Sequence, residues 1–249
     1  MINEIYREIV EGVRFTNYSE LRLRCAELEE RIRGVFSDMS LLETKRIGSS
    51  MTGTMRANSR DLDYFIGFAF SPSIGEIKAR LENSGLNILR ISHDEIYGYS
   101  RFSGIWKDYE FVLVPIKKPK GEISTYPEDA YHHPDFINER RETGHTENVI
   151  LAKEFFSRIG IYKQIKGISC ELMILELKSF DELLRHILEN EFIRVNFSPF
   201  NESYSESRIV IDYPYLGRRS LTEYISPDGY KAIQEFANEV LDNPNKLRH

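Results

Sequence analysis

Asp61-Leu62-Asp63-Tyr64-Phe65-Ile66 is a run of strand-forming residues in which two carboxylates stand two positions apart. Because side chains alternate across a β-strand, Asp61 and Asp63 project from one face and Leu62 from the other. Two oxygen ligands then converge on one point, which suits Mg²⁺ (or Mn²⁺) held by carboxylates and by a substrate's phosphate oxygens. The run therefore predicts a strand that carries a metal site at Asp61 and Asp63.

A short turn, Gly48-Ser49-Ser50, precedes this strand. It follows another predicted strand, and its backbone N–H groups and hydroxyls suit a triphosphate if a helix starts just after it. Each motif alone is weak evidence. Solvated turns and strand ends explain most Asp-x-Asp pairs, and a lone Gly-Ser-Ser turn is less specific still. The two in this order are much less often accidental, so the sequence predicts a phosphate cradle beside the metal site.

The composition limits the classes of function. A chain of 249 residues with 41% apolar content predicts one or two domains with a substantial core. Its net charge of −6 gives no general basic field, so any nucleic-acid contact has to be local. Cys25 and Cys170 form no Cys/His cluster, which argues against a disulfide framework or a zinc site. Without a membrane-length apolar segment or a signal peptide, we expect a cytoplasmic protein with no membrane partner.

The order of the predicted elements indicates an α+β protein. The periodicity predicts helices over residues 3–35, 71–86, 146–156, 170–189 and 228–241. Strands are predicted just before Gly48 and over residues 61–70, 87–116 (broken at Gly98 and Gly104) and 208–212. The polar residues 117–144 are interpreted as a linker or active-site flap. Two domains follow from this pattern, one that contains the sheet and the N-terminal helices over 1–120 and a mainly helical one over 121–249.

Taken together, the two motifs resemble the signature of the polymerase-β-type nucleotidyltransferase superfamily. Further along, the chain is similar to the archaeal-type (class I) CCA-adding tRNA nucleotidyltransferases at Glu110–Pro115, Tyr131-His132-His133, Lys153–Tyr162 and Ser169–Leu172. The similarity covers the catalytic head and neck of that family, whose long tRNA-gripping C-terminal part has no counterpart in these residues. It implies a nucleotidyltransferase domain, a mixed sheet flanked by helices, followed by a mainly helical second domain.

The resemblance also implies roles for individual residues. Asp61 and Asp63 would bind the metals, and Ser49, behind Gly48, would contact the triphosphate. The triphosphate set would continue with His132, Lys153 and Tyr162. The arginine near the incoming base would be Arg219, or Arg218 with a one-residue shift. Gly160 is expected to end the helix that carries Lys153. Two alternatives stay open, in which Lys153 is a helix-surface charge and His132 or His133 is a loop histidine.

Two positions depart from the family pattern. Val112 stands where the family has a third catalytic aspartate, and Thr52 stands where a positive charge is expected a few residues beyond Ser49. Glu110 shares the strand face of Val112 but lies two residues away, about 6–7 Å along the strand. In two-metal phosphoryl transfer the third aspartate mainly serves the ion that activates the attacking hydroxyl, so its loss affects catalysis more than nucleotide binding.

Three functions are therefore considered. The first is an active nucleotidyltransferase that binds a nucleoside triphosphate (ATP or CTP) and extends a hydroxyl acceptor such as an RNA 3′ end, with Glu110 or Asp108 replacing the missing carboxylate. The second is a catalytically impaired pseudo-nucleotidyltransferase that acts as a nucleotide-binding or regulatory module. The third is a transferase with a small-molecule or protein acceptor. The sequence makes no prediction of the oligomeric state.

Overall fold

The computed structural model describes residues 4–94, 99–119, 121, 123, 125–198, 206–216 and 220–248. The first elements are α1 (Glu4–Val13), α2 (Tyr18–Val35), β1 (Leu41–Ile47), α3 (Ser49–Thr52), β2 (Asp61–Phe68), α4 (Ile74–Glu82), β3 (Asn87–Asp94), β4 (Tyr99–Trp106) and β5 (Tyr109–Lys117). There follow α5 (Tyr126–Arg140), α6 (His145–Arg158), α7 (Tyr162–Ile165), α8 (Gly167–Leu177), α9 (Phe180–Glu189), β6 (Ile193–Val195), β7 (Ile209–Ile211), α10 (Pro227–Asp242) and a 3₁₀ turn (Pro244–Leu247). None of the helices in the described part of the chain combines the length and apolar character needed to cross a bilayer.

The chain forms two compact units, each made of separate segments. The sheet unit comprises Phe15–Met51 and Ala57–His132. The helical unit comprises Met1–Arg14, Thr52–Arg56 and His133–His249. Because compact packing does not by itself define a folding domain, the division into residues 1–120 and 121–249 stays a prediction.

The sheet unit is built on five strands in the order β1-β2-β5-β4-β3. The central pair, β2 and β5, is parallel, and the other three pairs are antiparallel. A parallel pair needs a long crossover, which here runs through α4, β3 and β4. The α+β class with a mixed sheet flanked by helices is confirmed.

Alternation along β2 separates a buried face from a polar one. Three apolar side chains on the first face are fully buried: Leu62, Tyr64 and Ile66. Phe36, directly after α2, packs edge-on against Phe68 on this face, with ring centroids 5.6 Å apart. On the other face Asp61 is exposed and Asp63 is half-buried. The predicted projection of both carboxylates from one face is confirmed.

The helical unit is organised around α6 and α8. Consecutive positions are buried over Asn148–Phe156 of α6 and Ser169–Leu175 of α8, so protein surrounds both helices on all sides. Residues from α1, α9 and α10 complete this core. The helix α6 ends before Gly160, which adopts a φ of 82°, as expected from the sequence. The mainly helical character of this part of the chain is confirmed.

Two of the predicted long helices are interrupted. The helical prediction over residues 3–35 is confirmed, and it divides into α1 and α2, where Asn17 caps α2 by accepting a backbone hydrogen bond at 3.3 Å. The helical prediction over residues 170–189 is likewise confirmed, and it divides into α8 and α9. Lys178 adopts a φ of 72°, and the Ser179 hydroxyl caps α9 by accepting a backbone hydrogen bond at 3.1 Å. In both places the periodicity of side chains continues across a break that the capping residue creates.

The linker or flap predicted over residues 117–144 is wrong for most of its length, because α5 occupies it. A reciprocal pair of cap hydrogen bonds starts this helix. The Thr125 N–H donates to the Glu128 carboxylate at 2.9 Å, and the Glu128 N–H donates to the Thr125 hydroxyl at 3.4 Å. Burial of Phe136 and Ile137 then stabilises the helix despite its polar composition.

Gly104 is not a strand break, as the sequence suggested, but lies inside β4. A Cβ at this position would come within 2.3 Å of the Asn87 carbonyl oxygen and 2.6 Å of the Phe111 ring. Glycine is therefore needed for close packing of β4 within the sheet. Gly98, the other predicted break, lies outside the described residues.

Candidate active site

The register between β2 and β5 decides which residues accompany the two aspartates. Asp61 pairs with Glu110 and Asp63 pairs with Val112. Paired residues of neighbouring strands point to the same face, so all four side chains share the polar face of the sheet. The position next to Asp63 on the adjacent strand is therefore a valine, and the nearest carboxylate on that strand lies one row away, beside Asp61.

The turn between β1 and α3 closes directly against Asp63. Gly48 adopts a φ of 69°, and a Cβ on it would lie 3.0 Å from the Asp63 Oδ2 atom. The Met51 N–H donates to the Gly48 carbonyl at 3.0 Å, and Ser49 is the first residue of α3. The helix start expected after this glycine is thus present, and only glycine suits both the conformation and the contact.

Asp63 is electrostatically strained. Burial, and next the charge of Asp61, raise the pKa of Asp63 from 3.8 to about 6, while Arg101 opposes the rise. Two carboxylates that repel each other at one point form a favourable site for a divalent cation.

The residues fit one ion held by Asp61 and Asp63 with the remaining ligands supplied by a substrate. Within the described part of the chain, no group of three or more His, Cys, Asp or Glu side chains is placed to hold a metal ion. Mg²⁺ commonly keeps only one or two protein carboxylates and completes its octahedron with water and phosphate oxygens. The donor set therefore suits a metal ion that arrives with a nucleotide.

Beyond Asp63 the same face becomes apolar. Phe65, Val114 and Ile116 form a cluster with Tyr131 of α5. The Tyr131 ring lies 5.9 Å from that of Phe65 and 4.9 Å from the half-buried His132 ring. His132 thus lies on a helix rather than a loop, so the loop-histidine alternative is wrong.

Lys153 lies in the interior of the helical unit. Its side chain is 2% exposed, and its Nζ donates to the Thr54 hydroxyl at 2.7 Å and to the Thr54 carbonyl at 3.1 Å. Glu171 pairs with the same Nζ at 3.5 Å and accepts hydrogen bonds from Thr52 and Thr54 at 3.0 and 2.7 Å. The helix-surface interpretation of Lys153 is wrong, because a lysine is buried only when its charge is paired.

Tyr162 lies beside Lys153. A Cβ on Gly167 would be 3.1 Å from the Tyr162 hydroxyl and 3.4 Å from the Lys153 Cε atom, so both side chains border this glycine. The Arg56 guanidinium lies over the Tyr162 ring, 4.5 Å from its centroid, and pairs with Glu154 at 3.5 Å. Arg218 and Arg219 lie outside the described residues.

Two residues in these clusters, Glu171 and Arg101, had no role predicted from the sequence. Glu171 is one of two charges in the largely apolar helix α8, and it lies among apolar neighbours whereas Glu176 is exposed, a pattern that indicates a buried partner. Its second oxygen, Oε2, is buried and accepts no hydrogen bond from a described residue. Arg101 belongs to an alternating strand pattern that predicts the same face as Ser103, but only the pairing of β4 with β5 brings it towards Asp63.

Comparison with curated proteins finds archaeal relatives. A CCA-adding enzyme from Halorubrum lacusprofundi is 24% identical over 242 residues, covering 91% of this chain and 51% of the relative. A CCA-adding enzyme from Methanocaldococcus jannaschii is 26% identical over 273 aligned positions, covering 98% of this chain and 60% of the relative. The chain thus spans about half the length of such relatives. The resemblance predicted from the motifs is confirmed, although no protein-family model matches the chain.

Comparison with solved structures identifies the fold. The Cid1 poly(U) polymerase with Mg and 3′-dATP superposes with a TM-score of 0.73 at 12% identity, covering 96% of this chain and 94% of that one. The chain has a polymerase-β-type nucleotidyltransferase fold. CdnC from E. coli MS115-1, with ATP, superposes with a TM-score of 0.72 at 14% identity, covering 97% and 91% of the two chains. At such identities, the likeness to these nucleotidyltransferases concerns the fold and not the substrate.

Proposed function

We propose that the protein binds a nucleoside triphosphate with Mg²⁺ (or Mn²⁺) and transfers the nucleoside monophosphate to a hydroxyl acceptor such as an RNA 3′ end. One observation carries the proposal: Asp61 and Asp63 share one face of a nucleotidyltransferase sheet, directly beside the glycine turn that starts α3. Two solved proteins of this fold, Cid1 with Mg and 3′-dATP and CdnC with ATP, support the choice of ligand.

Each residue then has a defined task. Asp61 and Asp63 hold the ion, which would supply charge stabilisation at the phosphates. Gly48 leaves space for the Asp63 carboxylate, and Ser49 contacts the triphosphate. By resemblance, the remaining phosphate and base contacts come from His132, Tyr162 and Arg219, and from Lys153 once its Nζ exchanges Thr54 or Glu171 for a phosphate oxygen. Among nucleotides, the names of the relatives favour CTP and ATP.

The transfer itself is an in-line displacement. The acceptor's hydroxyl oxygen bonds to the α-phosphorus, the bond from that phosphorus to the leaving pyrophosphate breaks, and the hydroxyl proton passes to a carboxylate. Glu110 is our candidate for this carboxylate, because it is exposed and pairs with Asp61. We expect Glu110→Gln to lower the rate of transfer without changing nucleotide affinity.

A second function, a nucleotide-binding or regulatory module without transferase activity, is favoured by Val112. This residue pairs with Asp63, where the family has its third carboxylate, and the described residues hold no three-ligand metal cluster. A module of this kind would bind Mg²⁺ and nucleotide through the two aspartates but would not activate the attacking hydroxyl.

Calorimetry tests nucleotide binding, which both functions require. The protein is titrated with each nucleoside triphosphate in the presence of Mg²⁺, Mn²⁺ or EDTA, next to an Asp61→Ala/Asp63→Ala double variant. A matched control is Glu30→Ala, which removes an exposed carboxylate from α2 in the same sheet unit. We expect metal-dependent binding that the double variant loses and the control keeps. Absence of binding by the parent protein would refute both functions.

Substitution of Val112 by aspartate separates the two functions. If the parent protein has no transferase activity and Val112→Asp transfers labelled nucleotide to an acceptor, the protein is a binding module that lacks one metal-binding carboxylate. If the parent protein is active and Val112→Asp leaves its rate unchanged or lowers it, the site uses another carboxylate. Val112→Asn has nearly the same shape without the charge and controls for packing.

A further inference from the structure

The polar face of the sheet continues from the aspartates towards β3. The pairing aligns Asp63, Val112, Ser103 and Arg90 in one row across β2, β5, β4 and β3. Paired residues share a face, so Arg90 projects on the side of the metal ligands. It is exposed, and it forms no hydrogen bond or ion pair with another residue in the described part of the chain.

A second arginine lies between this row and the apolar cluster. Arg101 is exposed, whereas its neighbour Phe102 is fully buried on the opposite face. Tyr99, two residues before it, packs against the cluster below α5, and its hydroxyl accepts a hydrogen bond from Arg101. Arg101 lies one row further along β4 than Ser103, on the same face of the sheet as Asp63. Two guanidinium groups therefore border the metal site on the side of β4 and β3.

The position of these groups separates them from the nucleotide. The glycine turn that would receive the triphosphate follows β1, on the opposite side of β2 from β5, β4 and β3. Strands lie about 4.8 Å apart and Arg101 lies two residues along β4 from the row of Asp63, so the backbones of Arg101 and Arg90 are about 12 and 14 Å from that of Asp63. An arginine side chain extends about 6–7 Å, which leaves room for a sugar between the metal site and a guanidinium.

The neighbouring side chains have the character of a nucleotide site. Ile105, 38% exposed, offers an apolar surface in the row of Asp61 and Glu110, and Ser103 offers a hydroxyl in the row of Asp63. The two arginines place positive charge on the β4–β3 side of a face whose β2 side carries the carboxylates of Asp61 and Asp63. Guanidinium groups bind phosphate with two parallel hydrogen bonds.

We propose that Arg90 and Arg101 bind a phosphate of the acceptor, and hence that the acceptor is a nucleotide with a free hydroxyl. This inference rests on the proposed transfer and specifies its second substrate. A free nucleoside monophosphate and the last nucleotide of an RNA share the required chemistry, a sugar hydroxyl about one sugar's width from a phosphate. A protein side chain or an uncharged metabolite lacks it.

Binding of three graded probes tests the proposal. The donor site is first saturated with Mg²⁺ and α,β-methylene-ATP, and this step is measured by itself. Three probes are then titrated. Cytidine has no phosphate, CMP has a terminal phosphate, and the dinucleotide CpC has a bridging phosphate. The series is repeated for Arg90→Gln, Arg101→Gln and the double variant. The control is Arg22→Gln, which removes from α2 an exposed arginine that has no ion pair within the described residues.

The expected result is that CMP or CpC binds at least about tenfold more tightly than cytidine, and that the double variant loses this preference while the control keeps it. Tighter binding of CpC than of CMP would identify an RNA end as the source of the phosphate, and the reverse a free nucleotide. Equal binding of all three probes, a preference that survives in the double variant, or weaker donor binding in the arginine variants would overturn the proposal. Failure of the parent protein to bind the donor would instead refute the proposed function.

Discussion

Replacement of Asp63 by asparagine should stabilise the metal-free protein at neutral pH. Burial and the Asp61 carboxylate raise the pKa of Asp63 from 3.8 to about 6. Between these two pH values the folded chain binds more protons than the unfolded chain, so stability falls as the pH rises from about 4 to about 6. Above this window the ionised carboxylate destabilises the fold, and the uncharged amide removes that effect.

The magnitude follows from the difference in pKa between the folded and unfolded chains. A pKa difference of about 2 corresponds to about 3 kcal/mol, since each pKa unit is worth about 1.4 kcal/mol. Asp63 is only half-buried, and water screens part of its interaction with Asp61. We therefore expect Asp63→Asn to raise the free energy of unfolding by about 1–2 kcal/mol at pH 7.5, and by much less at pH 4.5.

Urea unfolding in EDTA measures this effect. Trp106 is the chain's single tryptophan and lies in the sheet unit with Asp63, so its fluorescence reports the unit concerned. Asp108→Asn makes the same chemical change at an exposed turn and should leave the stability nearly unchanged. Addition of Mg²⁺ should stabilise the parent protein more than the Asp63→Asn variant. If that variant were no more stable than the parent protein at pH 7.5, or its advantage did not shrink at pH 4.5, the electrostatic argument would be refuted.

Two further predictions concern the glycine turn and the buried ion pair. Gly48→Ala should destabilise the sheet unit by about 1–2 kcal/mol and weaken metal-nucleotide binding, because it adds both a strained φ and a contact with a carboxylate oxygen. Gly53 has a similar φ of 80°, but a Cβ added there would have no atom within 4 Å, so Gly53→Ala should leave binding unchanged. Equal loss of metal-nucleotide binding in both variants would exclude the contact with Asp63 as the cause. Lys153→Met or Glu171→Leu alone should each destabilise the helical unit by about 3–5 kcal/mol, measured by circular dichroism, because a buried charge loses its partner. The double variant should recover most of that stability, and additive losses would contradict the pairing.

Local patterns in the sequence determined much of the candidate site. The alternation Asp61-Leu62-Asp63 defines which side chains share a face, because the period of a strand is two regardless of what it pairs with. Gly48 and Gly160 mark backbone conformations with positive φ that other residues rarely adopt. The Thr125–Glu128 capping box was equally local and predicts the start of α5, although the polar composition of that segment concealed it.

Pairing between distant segments was decided by the tertiary structure. The match of Val112 with the family's third carboxylate came from resemblance, and its position beside Asp63 depends on the register of two parallel strands about fifty residues apart. Register follows from the packing of whole strands, so a single strand does not contain it. The same is true of Arg90 and Arg101, which approach the metal site only because β4 and β3 extend the sheet beyond β5.

The environment of the charged groups was likewise a tertiary property. The sequence alone left Lys153 open between a surface charge and a positioned one. Its burial depends on Glu171, eighteen positions later in the chain, and on Thr54, which is far earlier. Solvent exclusion, which raises the pKa of Asp63 and makes the pairing of Lys153 necessary, arises only when the separate helices and strands pack together.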